Sequence, residues 1–377
     1  MYKVGLKKIS LNSIDHDVDQ LLNSINYFPL KGKVLLKPNI VVAEPPENGS
    51  ITHPRIIEAI AKYFLRKNIE VVIAEGTGIF AEHQGFEYLL RATRYAEVRD
   101  KLGIPIINLE KVERVKIPWR YGFIYLPKLL ETYEYVNVPT MKTHCQATVT
   151  LGVKNQKGII SVKSKKLFHK KGLHPYILAL SEIISPTLTV VDGIYCVEGN
   201  GPTGPPVGEV KIMNLLIAGT DMMAVDNVCV DVMGFDIREV EHLKPIDKAE
   251  IEIIGEKPDE VRSEFKKPIK GIRCIHPFVI HSDITTCTMC ILSYYRAFSK
   301  IFNTPELRRE LEEERPREIH IITGNVDPPA NLTAYDFFLG DCSKKKAQKA
   351  GITHISGCHP DYKDIVNHLF PGYYSYK

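Results

Sequence analysis

The sequence predicts an α/β fold with a mainly parallel sheet and flanking helices, followed by a smaller C-terminal region that bears cysteines. Short apolar runs ending in Gly, Asp, Asn or Pro alternate with helical patterns, which is typical of buried parallel strands that lead into loops. From about Ile251 the sequence becomes polar and charged, and five of the eight cysteines lie beyond that point. We therefore predict an α/β substrate-binding domain over residues 1–247 and a cysteine-rich metal- or cluster-binding region over residues 248–377.

The elements of the first domain can be assigned in order. Apolar runs predict strands at 33–40, 69–78, 188–195 and 214–221. Between the first two, "THPRIIEAIAKYFLRK" predicts a helix in which Thr52 caps the start and Pro54 occupies the first turn. After the fourth, "MMAVDNVCVDVMG" predicts a helix that ends at Gly234. Strand, helix and strand in this order imply right-handed crossovers and a mainly parallel sheet.

Two further segments have a clear local character. The stretch 192–208, "DGIYCVEGNGPTGPPVG", contains five glycines and three prolines, which predicts an irregular loop. The stretch "TPELRRELEEERPRE" carries mixed charge and predicts a solvated helix.

Composition limits the class of protein. At 377 residues, with 44% hydrophobic and 25% charged residues, the chain has the make-up of an ordinary soluble globular protein. The N-terminal "MYKVGLKKIS" lacks a signal-peptide core and no apolar run reaches membrane-spanning length, so we predict a cytoplasmic protein without a membrane partner. A pI near 8.4 does not by itself argue for nucleic acid, and a homo-oligomer is left open. Cysteines in a cytosolic chain favour thiols, metal ligands or chemistry over disulfides.

The segment "VPTMKTHCQATVTLGVKNQKG", from Val138 to Gly158, is locally basic. No acidic residue lies between Glu134 and Glu182, whereas eight lysines do, in a chain of net charge +4. Lys142 and His144 are two residues apart and therefore on one side of an extended segment, which suits an anionic substrate whose proton must move. Lys154 and Asn155 follow, with a glycine that permits close backbone approach. The alternative is that these lysines and the histidine are structural.

The basic run at 163–171 is a separate feature. It predicts either a mobile flap or a solvated surface loop, with phosphate or nucleic-acid contact a minor alternative.

Polar residues follow several predicted strands, where sites of open α/β sheets gather. They are Lys37, Asn39, Glu75, Thr77, Asp192 and Asp221. Asp192 and Glu198 are candidates to bind a divalent cation or to act as a general base, the alternative being that both cap backbone amides. No "GxxxxGKS" or "GxGxxG" motif directly follows a predicted strand, which excludes a P-loop and disfavours a dinucleotide fold.

Seven ordered motifs resemble a known family. "VLLKPNI", "THPRIIEAI", "EGTG", "NVPTMKTH", "TLGVKNQKG", "VVDGIYCVEGNGP" and "AGTDMMAVDNVCVDVMG" are similar to motifs of domain of unknown function 362, over about residues 35–235. The family is archaeal and bacterial and is often joined to ferredoxin-type iron–sulfur modules. The family's frequent "CxxCxxC" insert is absent here, so the resemblance does not imply a two-cluster relay.

The resemblance and the local chemistry together mark the candidate site. The predicted catalytic residues are Lys142, His144, Asp192 and Glu198. The predicted substrate-binding residues are Lys37, Asn39, Thr52, His53, Lys154, Asn155, Gly201 and Asp221.

Four cysteines predict a metal centre. Cys287 and Cys290 form "CTMC", and Cys342 and Cys358 lie in turn-like sequence, so four thiolates from loops can close a tetrahedral site. A [4Fe–4S] cluster, zinc and unligated thiols all remain open. Potential additional ligands are Cys274, His276, His281, His354 and His359. Cys145 and Cys196 are predicted to lie in site loops and Cys229 in the core of a helix.

The sequence thus predicts an iron–sulfur redox enzyme acting on a small anionic substrate, with an electron-transfer protein as a further partner. The alternative is a racemase- or isomerase-like proton-transfer enzyme with a structural zinc or no metal. A binding module that uses only the basic loop explains the polar strand ends poorly.

Overall fold

A computed structural model gives the fold of the chain. It describes residues 1–76, 85–205, 208–268, 273–283, 285–358 and 360–374. The chain forms two compact units, Met1–Pro268 and Ile269–Lys377. No helix in the described ranges has the length and apolar character needed to cross a membrane.

The first unit is built on a large mixed sheet with mostly parallel strands. Its strands are β1 Tyr2–Lys8, β2 Lys33–Pro38, β3 Glu70–Glu75, β4 Ile106–Asn108, β7 Glu134–Val138, β8 Thr140–His144, β9 Thr148–Thr150, β10 Leu188–Gly199, β11 Gly208–Gly219 and β12 Ile251–Gly255; a separate hairpin pairs β5 Arg114–Trp119 with β6 Gly122–Pro127. The sheet order is β12-β1-β11-β10-β7-β2-β3-β4; β8 pairs with β10, and β9 pairs with β8. This confirms the predicted α/β class.

Helices cover both faces of this sheet. They are α1 Ile14–Ser24, α2 Pro54–Leu65, α3 Phe86–Ala92, α4 Tyr95–Leu102, α5 Leu129–Thr132, α6 Gly152–Asn155, α7 Val162–Lys171, α8 Leu173–Ser181, α9 Met222–Val232 and α10 Pro258–Val261. Along β2, Leu35 packs into one apolar core while Val34 and Leu36 pack into another, as strand alternation requires. The predicted helix at α2 is confirmed, and α9 is followed by Gly234 at φ +79°, as predicted.

Two predictions for this unit need correction. Residues 188–195 and 214–221 were expected to be parallel strands. Strand β10 does pair in parallel with β7 and β8, but β11 is antiparallel to both of its neighbours, β10 and β1. The stretch 192–208 was expected to be irregular, yet its first eight residues, 192–199, continue β10. Tyr195, Cys196 and Val197 favour an extended strand, and the glycine content is accommodated by a bulge between Gly193 and Tyr195.

The domain boundary also differs from the predicted position near residue 248. Strand β12 runs parallel to β1, with Tyr2 opposite Ile251 and Leu6 opposite Gly255. The change in composition at 251 therefore marks an edge strand of the first sheet, and the first unit ends at Pro268.

The second unit has a sheet of its own. Its strands are β13 Arg273–Ile275, β14 Phe278–His281, β15 Ile319–Thr323, β16 Phe337–Leu339 and β17 Thr353–Ile355, and its helices are α11 Thr288–Phe302, α12 Pro305–Glu314, α13 Lys344–Ala350 and α14 Tyr362–Leu369. The order is β13-β14-β15-β16-β17, and β14 to β17 are parallel. Helix α12 confirms the predicted solvated helix.

Candidate functional site

A buried ion pair lies where β2 and β3 end. Lys37 is fully buried, and its ammonium donates to Glu75 Oε2 at 2.9 Å, Pro38 O at 2.8 Å and Asn155 Oδ1 at 3.1 Å. Burial lowers the pKa of Lys37, and the Glu75 carboxylate opposes this effect. A Cβ atom on Gly158 would lie 2.5 Å from Lys37 Nζ, so only glycine leaves room for the pair.

A chain of side-chain amides connects the lysines of the site. The Lys142 ammonium donates to Asn39 Oδ1 at 2.7 Å, and Asn39 Nδ2 donates to Asn155 Oδ1 at 2.9 Å. Asn155 Nδ2 donates to Asn137 Oδ1 at 2.9 Å, and Asn137 Nδ2 donates to Gly152 O at 2.9 Å. Because an ammonium group can only donate, Lys142 fixes the orientation of each amide after it.

Lys142 itself is fully enclosed. Its ammonium also donates to the carbonyl oxygen of Ser50. Burial lowers the pKa of Lys142 well below its ordinary value, and the nearby charge of Lys154 adds to this effect. Lys142 therefore acts as the anchor of the amide chain.

Lys154 differs from the other two lysines in its surroundings. It lies in the short helix α6, whose first two backbone amides, Gly152 N and Val153 N, both donate to the buried carboxylate of Asp226 at 2.8 Å. Lys154 is only partly buried, and its Nζ donates to Thr150 Oγ1 at 3.2 Å. Burial lowers the pKa of Lys154 to about 7, with the Cys145 thiol acting in the opposite direction. An amine with a pKa near neutrality can both accept and release a proton.

His144 shapes the turn between β8 and β9. Its Nδ1 accepts from Gln146 N at 3.1 Å and Ala147 N at 3.2 Å. Nδ1 is therefore unprotonated, which is the structural role that the sequence left open as an alternative. Cys145 N donates to Gly201 O at 2.9 Å, and a Cβ on Gly201 would lie 2.2 Å from Thr143 O. Gly201 thus permits a close backbone contact.

Thr52, His53 and Asp192 hold the start of α2 against the sheet. Thr52 Oγ1 accepts from Asn39 N at 2.8 Å and donates to Val138 O at 2.7 Å, whereas the cap of α2 is His53. The buried Asp192 carboxylate accepts from His53 N at 2.6 Å and Ile194 N at 2.8 Å. Burial raises the pKa of Asp192 to about 7 and lowers that of His53 to about 4.

The structure does not bring Asp192 and Glu198 together. Both lie on β10, and six residues of extended chain span about 20 Å, whereas oxygen ligands of Ca²⁺ lie about 2.3–2.6 Å from the ion. Glu198 Oε2 instead accepts from Lys211 Nζ at 3.1 Å and from Lys266 N at 3.1 Å. The two carboxylates therefore do not share one cation.

Asp221 caps the helix that follows it. Its Oδ1 accepts from Ala224 N at 2.7 Å, at the start of α9. Asp221 thus takes the capping role that was the alternative to substrate binding.

The basic run at 163–171 is a helix, α7, which differs from the predicted flap or loop. Ser161 caps its start by accepting from Ser164 N, and Lys165 is buried in an ion pair with Glu110 at 2.8 Å. At least one lysine of this run therefore points into the protein near Gly76, the residue that follows β3. Thr77 lies outside the described residues.

Two contributors to the site were missed by sequence reasoning. Asn137 is a buried amide between two valines of β7, and Ser50 supplies the carbonyl oxygen that Lys142 contacts. A polar residue inside the apolar run "YVNV" was the available signal for Asn137. A backbone carbonyl leaves no signal in a sequence.

In the second unit, three of the predicted cysteine ligands are in contact. The Cys287 and Cys290 sulfurs are 3.8 Å apart, and the Cys290 thiol also hydrogen-bonds to Cys342. This bond with Cys290 lowers the pKa of Cys342 to about 6, whereas contact with Cys287 raises the pKa of Cys290. Cys358 lies in the exposed turn after β17.

The backbone and side chain of Asp341 hold two of the cysteine turns together. Asp341 N donates to Gly357 O at 3.2 Å, and Gly357 N donates to Asp341 Oδ1 at 2.7 Å, which links the turn of Cys342 to that of Cys358. Across the described ranges, no three His, Cys, Asp or Glu side chains form a group arranged to hold a metal ion. The four-cysteine centre therefore stays a prediction.

The remaining candidate ligands and cysteines have other surroundings. His354 Nε2 contacts Gly340 O at 3.0 Å, and His281 Nε2 contacts His320 Nδ1 at 3.0 Å. Cys229 is buried in the core on α9, as predicted. The side chain of Cys274 and all of His359 lie outside the described residues.

Comparison with known proteins gives a family and one curated relative. The chain is 28% identical over 250 residues to the thylakoid-associated protein sll1697 of Synechocystis sp., an alignment that covers 62% of this chain and 72% of the relative. No solved structure matches. Residues 34–231 match the family described as domain of unknown function (DUF362). This range includes Lys37, the amide chain, Lys154 and Asp226. The chain belongs to that family.

Proposed function

We propose that this protein is an enzyme that binds a small anionic substrate in its first unit and transfers a proton through Lys154. The observation that carries the proposal is the setting of Lys154: the residue is only partly buried, and burial of its amine lowers the pKa to about 7. Lys37 is neutralised by Glu75, and Lys142 is enclosed by Asn39 and Ser50. Lys154 has no acidic partner within hydrogen-bonding distance in the described part of the chain.

The chemistry follows from the charge of the amine. The ammonium form of Lys154 attracts a carboxylate or phosphate, and its neutral form removes a proton from a carbon or oxygen atom. The carboxylate of Asp226 holds the start of α6, and the amide chain ends at Gly152 O, so the segment that carries Lys154 is fixed at its backbone. Fixed placement is what a proton donor and acceptor requires.

Deuterium exchange tests the proposal without knowledge of the substrate. The purified protein is incubated in D₂O with a panel of small hydroxy, keto and amino acids, and loss of the proton beside the carboxylate is followed by NMR. We expect exchange with at least one acid, and a loss of about 10²-fold or more in Lys154→Met. Lys163→Met, which changes an exposed lysine of α7, is the matched control and should keep full activity. Exchange that is equally fast in Lys154→Met would refute the assignment.

We propose as a second function that the thiols of Cys287, Cys290 and Cys342, with Cys358, bind a metal. The contact of three thiols supports this, because thiolates select zinc or iron–sulfur clusters. In a tetrahedral zinc site with Zn–S bonds of about 2.3 Å, neighbouring sulfurs are about 3.8 Å apart, which equals the separation of Cys287 and Cys290. In a [4Fe–4S] cluster each thiolate binds a different iron, so these sulfurs would have to move apart. A bound cluster would supply electron transfer, and zinc would stabilise the loops.

Metal analysis distinguishes the two metals. We expect about one zinc per chain, without visible absorption near 400 nm, and loss of that metal in Cys342→Ser while the first unit stays folded. Cys229→Ala removes a core thiol distant from any predicted ligand in sequence and should retain the metal. Iron with sulfide would favour the redox enzyme instead, and protein purified anaerobically without either metal would contradict both forms of the centre.

We further propose that the enzyme works in the cytoplasm. No disulfide bond joins any of the seven cysteines whose side chains are described, as is typical of a reducing compartment.

A further inference from the structure

A cavity of about 430 Å³ lies beneath the β5–β6 hairpin of the first unit. Its walls come from the hairpin, from β7 and from the link between α8 and β10, and its apolar lining includes Val115, Ile117, Leu126, Leu130, Ile183 and Ile184. None of its described lining residues belongs to the candidate site. Small-molecule sites are mostly apolar and have volumes of about 300–1,000 Å³, so this cavity has the size and lining of such a site.

Tyr135 of β7 lines this cavity with a hydroxyl that is not hydrogen-bonded. Its side chain packs into the same apolar core as Leu126 and Ile184, whereas Val136 packs into the core on the other face of the sheet, as strand alternation requires. Tyr135 therefore projects to the side of the sheet that the hairpin covers. The residue is only 4% exposed, and its hydroxyl has no hydrogen-bond partner among the described residues.

The other buried polar residue of the lining already has partners. The Glu134 carboxylate accepts from Lys31 N and from Tyr27 Oη, the latter at 3.3 Å. A buried water molecule makes about three hydrogen bonds, so it is poorly held in a cavity with a mostly apolar lining. A ligand that is apolar over most of its surface and has one polar atom matches the lining better.

The state of the Tyr135 hydroxyl defines that polar atom. Burial raises the pKa of Tyr135 well above its ordinary value, and the charge of Glu75 adds to this effect, so the phenol keeps its proton. The O–H group needs an acceptor, and a carbonyl oxygen supplies one without placing a charge in an apolar cavity. The complementary ligand is therefore neutral.

We propose that this cavity binds a neutral, largely apolar carbonyl compound whose oxygen accepts a hydrogen bond from Tyr135 Oη. The bond satisfies the buried hydroxyl, and the apolar part of the ligand covers Ile117, Leu126 and Ile184. Binding makes and breaks no covalent bond. It does not depend on the proton transfer proposed for Lys154.

Benzophenone and diphenylmethane test the site on the full chain, because they have similar shapes and only benzophenone carries a carbonyl oxygen. Calorimetric titration measures the affinity of each compound for wild type and for Tyr135→Phe. We expect the variant to lose about tenfold in affinity for benzophenone and to bind diphenylmethane as wild type does. Its stability should not fall, because the deleted hydroxyl has no partner in the free protein. Tyr125→Phe, on the exposed side of β6, is the matched control and should change neither affinity.

Photolabelling locates the bound probe in wild-type protein and needs no variant. Under near-ultraviolet light the benzophenone carbonyl forms a carbon–carbon bond at a nearby C–H bond, and mass spectrometry of peptides identifies the labelled residue. We expect labels at Ile117, Leu126 or Ile184. Labels confined to residues outside the cavity overturn the proposal, and so does a wild-type protein that binds no benzophenone. Equal benzophenone affinity in wild type and Tyr135→Phe overturns it as well.

Discussion

Replacing Glu75 by Ala is expected to lower the free energy of unfolding by about 3–5 kcal/mol, because it leaves a buried ammonium without its counter-charge. Glu75 is the acidic partner of Lys37 at 2.9 Å, and both side chains are buried. The same carboxylate accepts from Ile40 N and Gly76 N, so two backbone donors also lose their partner. Urea denaturation followed by circular dichroism measures the loss.

Two variants separate the charge from the shape. Glu75→Gln keeps an oxygen acceptor for Lys37 and should lose less stability than Glu75→Ala. The double variant Lys37→Met with Glu75→Leu removes both charges and should recover part of the loss, as replaced buried ion pairs often do. Unchanged stability in Glu75→Ala would show that Lys37 is neutral in the folded protein.

The stability of the first unit is expected to depend on the protonation of Asp192. Its pKa is 3.8 in an ordinary setting and about 7 in the folded protein, so the folded state holds a proton that the unfolded state releases. This contribution is complete below pH 4 and is lost as the pH rises to 7. At about 1.4 kcal/mol per pH unit, the loss amounts to about 4 kcal/mol.

The test compares the pH dependence of stability in wild type and in a variant, because other groups also titrate between pH 4 and pH 7. Asp226, also with a pKa of about 7, adds to the fall in stability, whereas His53, with a pKa lowered to about 4, acts in the opposite direction. Asp192→Asn removes one titration only. We expect the stability advantage of wild type over this variant to shrink by about 4 kcal/mol between pH 4 and pH 7. Parallel pH profiles of the two proteins would exclude a titrating Asp192.

The fold of the first unit could be predicted from the sequence because the signals for its strands and helices are local. The strand that ends at Lys37 and the helix that begins after His53 follow from hydrophobic periodicity and turn residues, which depend on neighbours in the chain. Family motifs added Lys142 and Lys154. The structure places both beside Thr150, which lies opposite Lys142 in the β8–β9 pair and accepts from Lys154 Nζ.

The roles of the individual site residues were harder to predict, because they depend on partners that are distant in the sequence. His144 holds a turn, Asp221 caps a helix, and Glu198 pairs with Lys211, although the residue types fitted catalysis equally well. Asp192 and Glu198 were expected to meet across a loop, but strand pairing overrode the glycine and proline content. Composition describes local preference, and the pairing of β10 with β11 is a long-range event.

The second unit illustrates the same limit. Its strands are three to five residues long, too short for a periodic signal, so its cysteines appeared to lie in a loop-rich region. The structure shows that Cys342 and Cys358 follow the carboxyl ends of β16 and β17. Sites of parallel sheets gather at that edge, so the proposed metal centre would lie there.

The hydrogen bonds of the amide chain all run in one direction, from Lys142 to Gly152 O, and this limits the substitutions that the family can accept during evolution. Each asparagine donates with its nitrogen and accepts with its oxygen, so an aspartate at position 39, 137 or 155 would set two acceptors against each other. A single Asn-to-Asp substitution is therefore expected to lower fitness, although it only replaces one amide nitrogen by oxygen. Lineages should therefore keep Asn39, Asn137 and Asn155 as a set or lose them as a set, and the three positions should vary together among distant relatives.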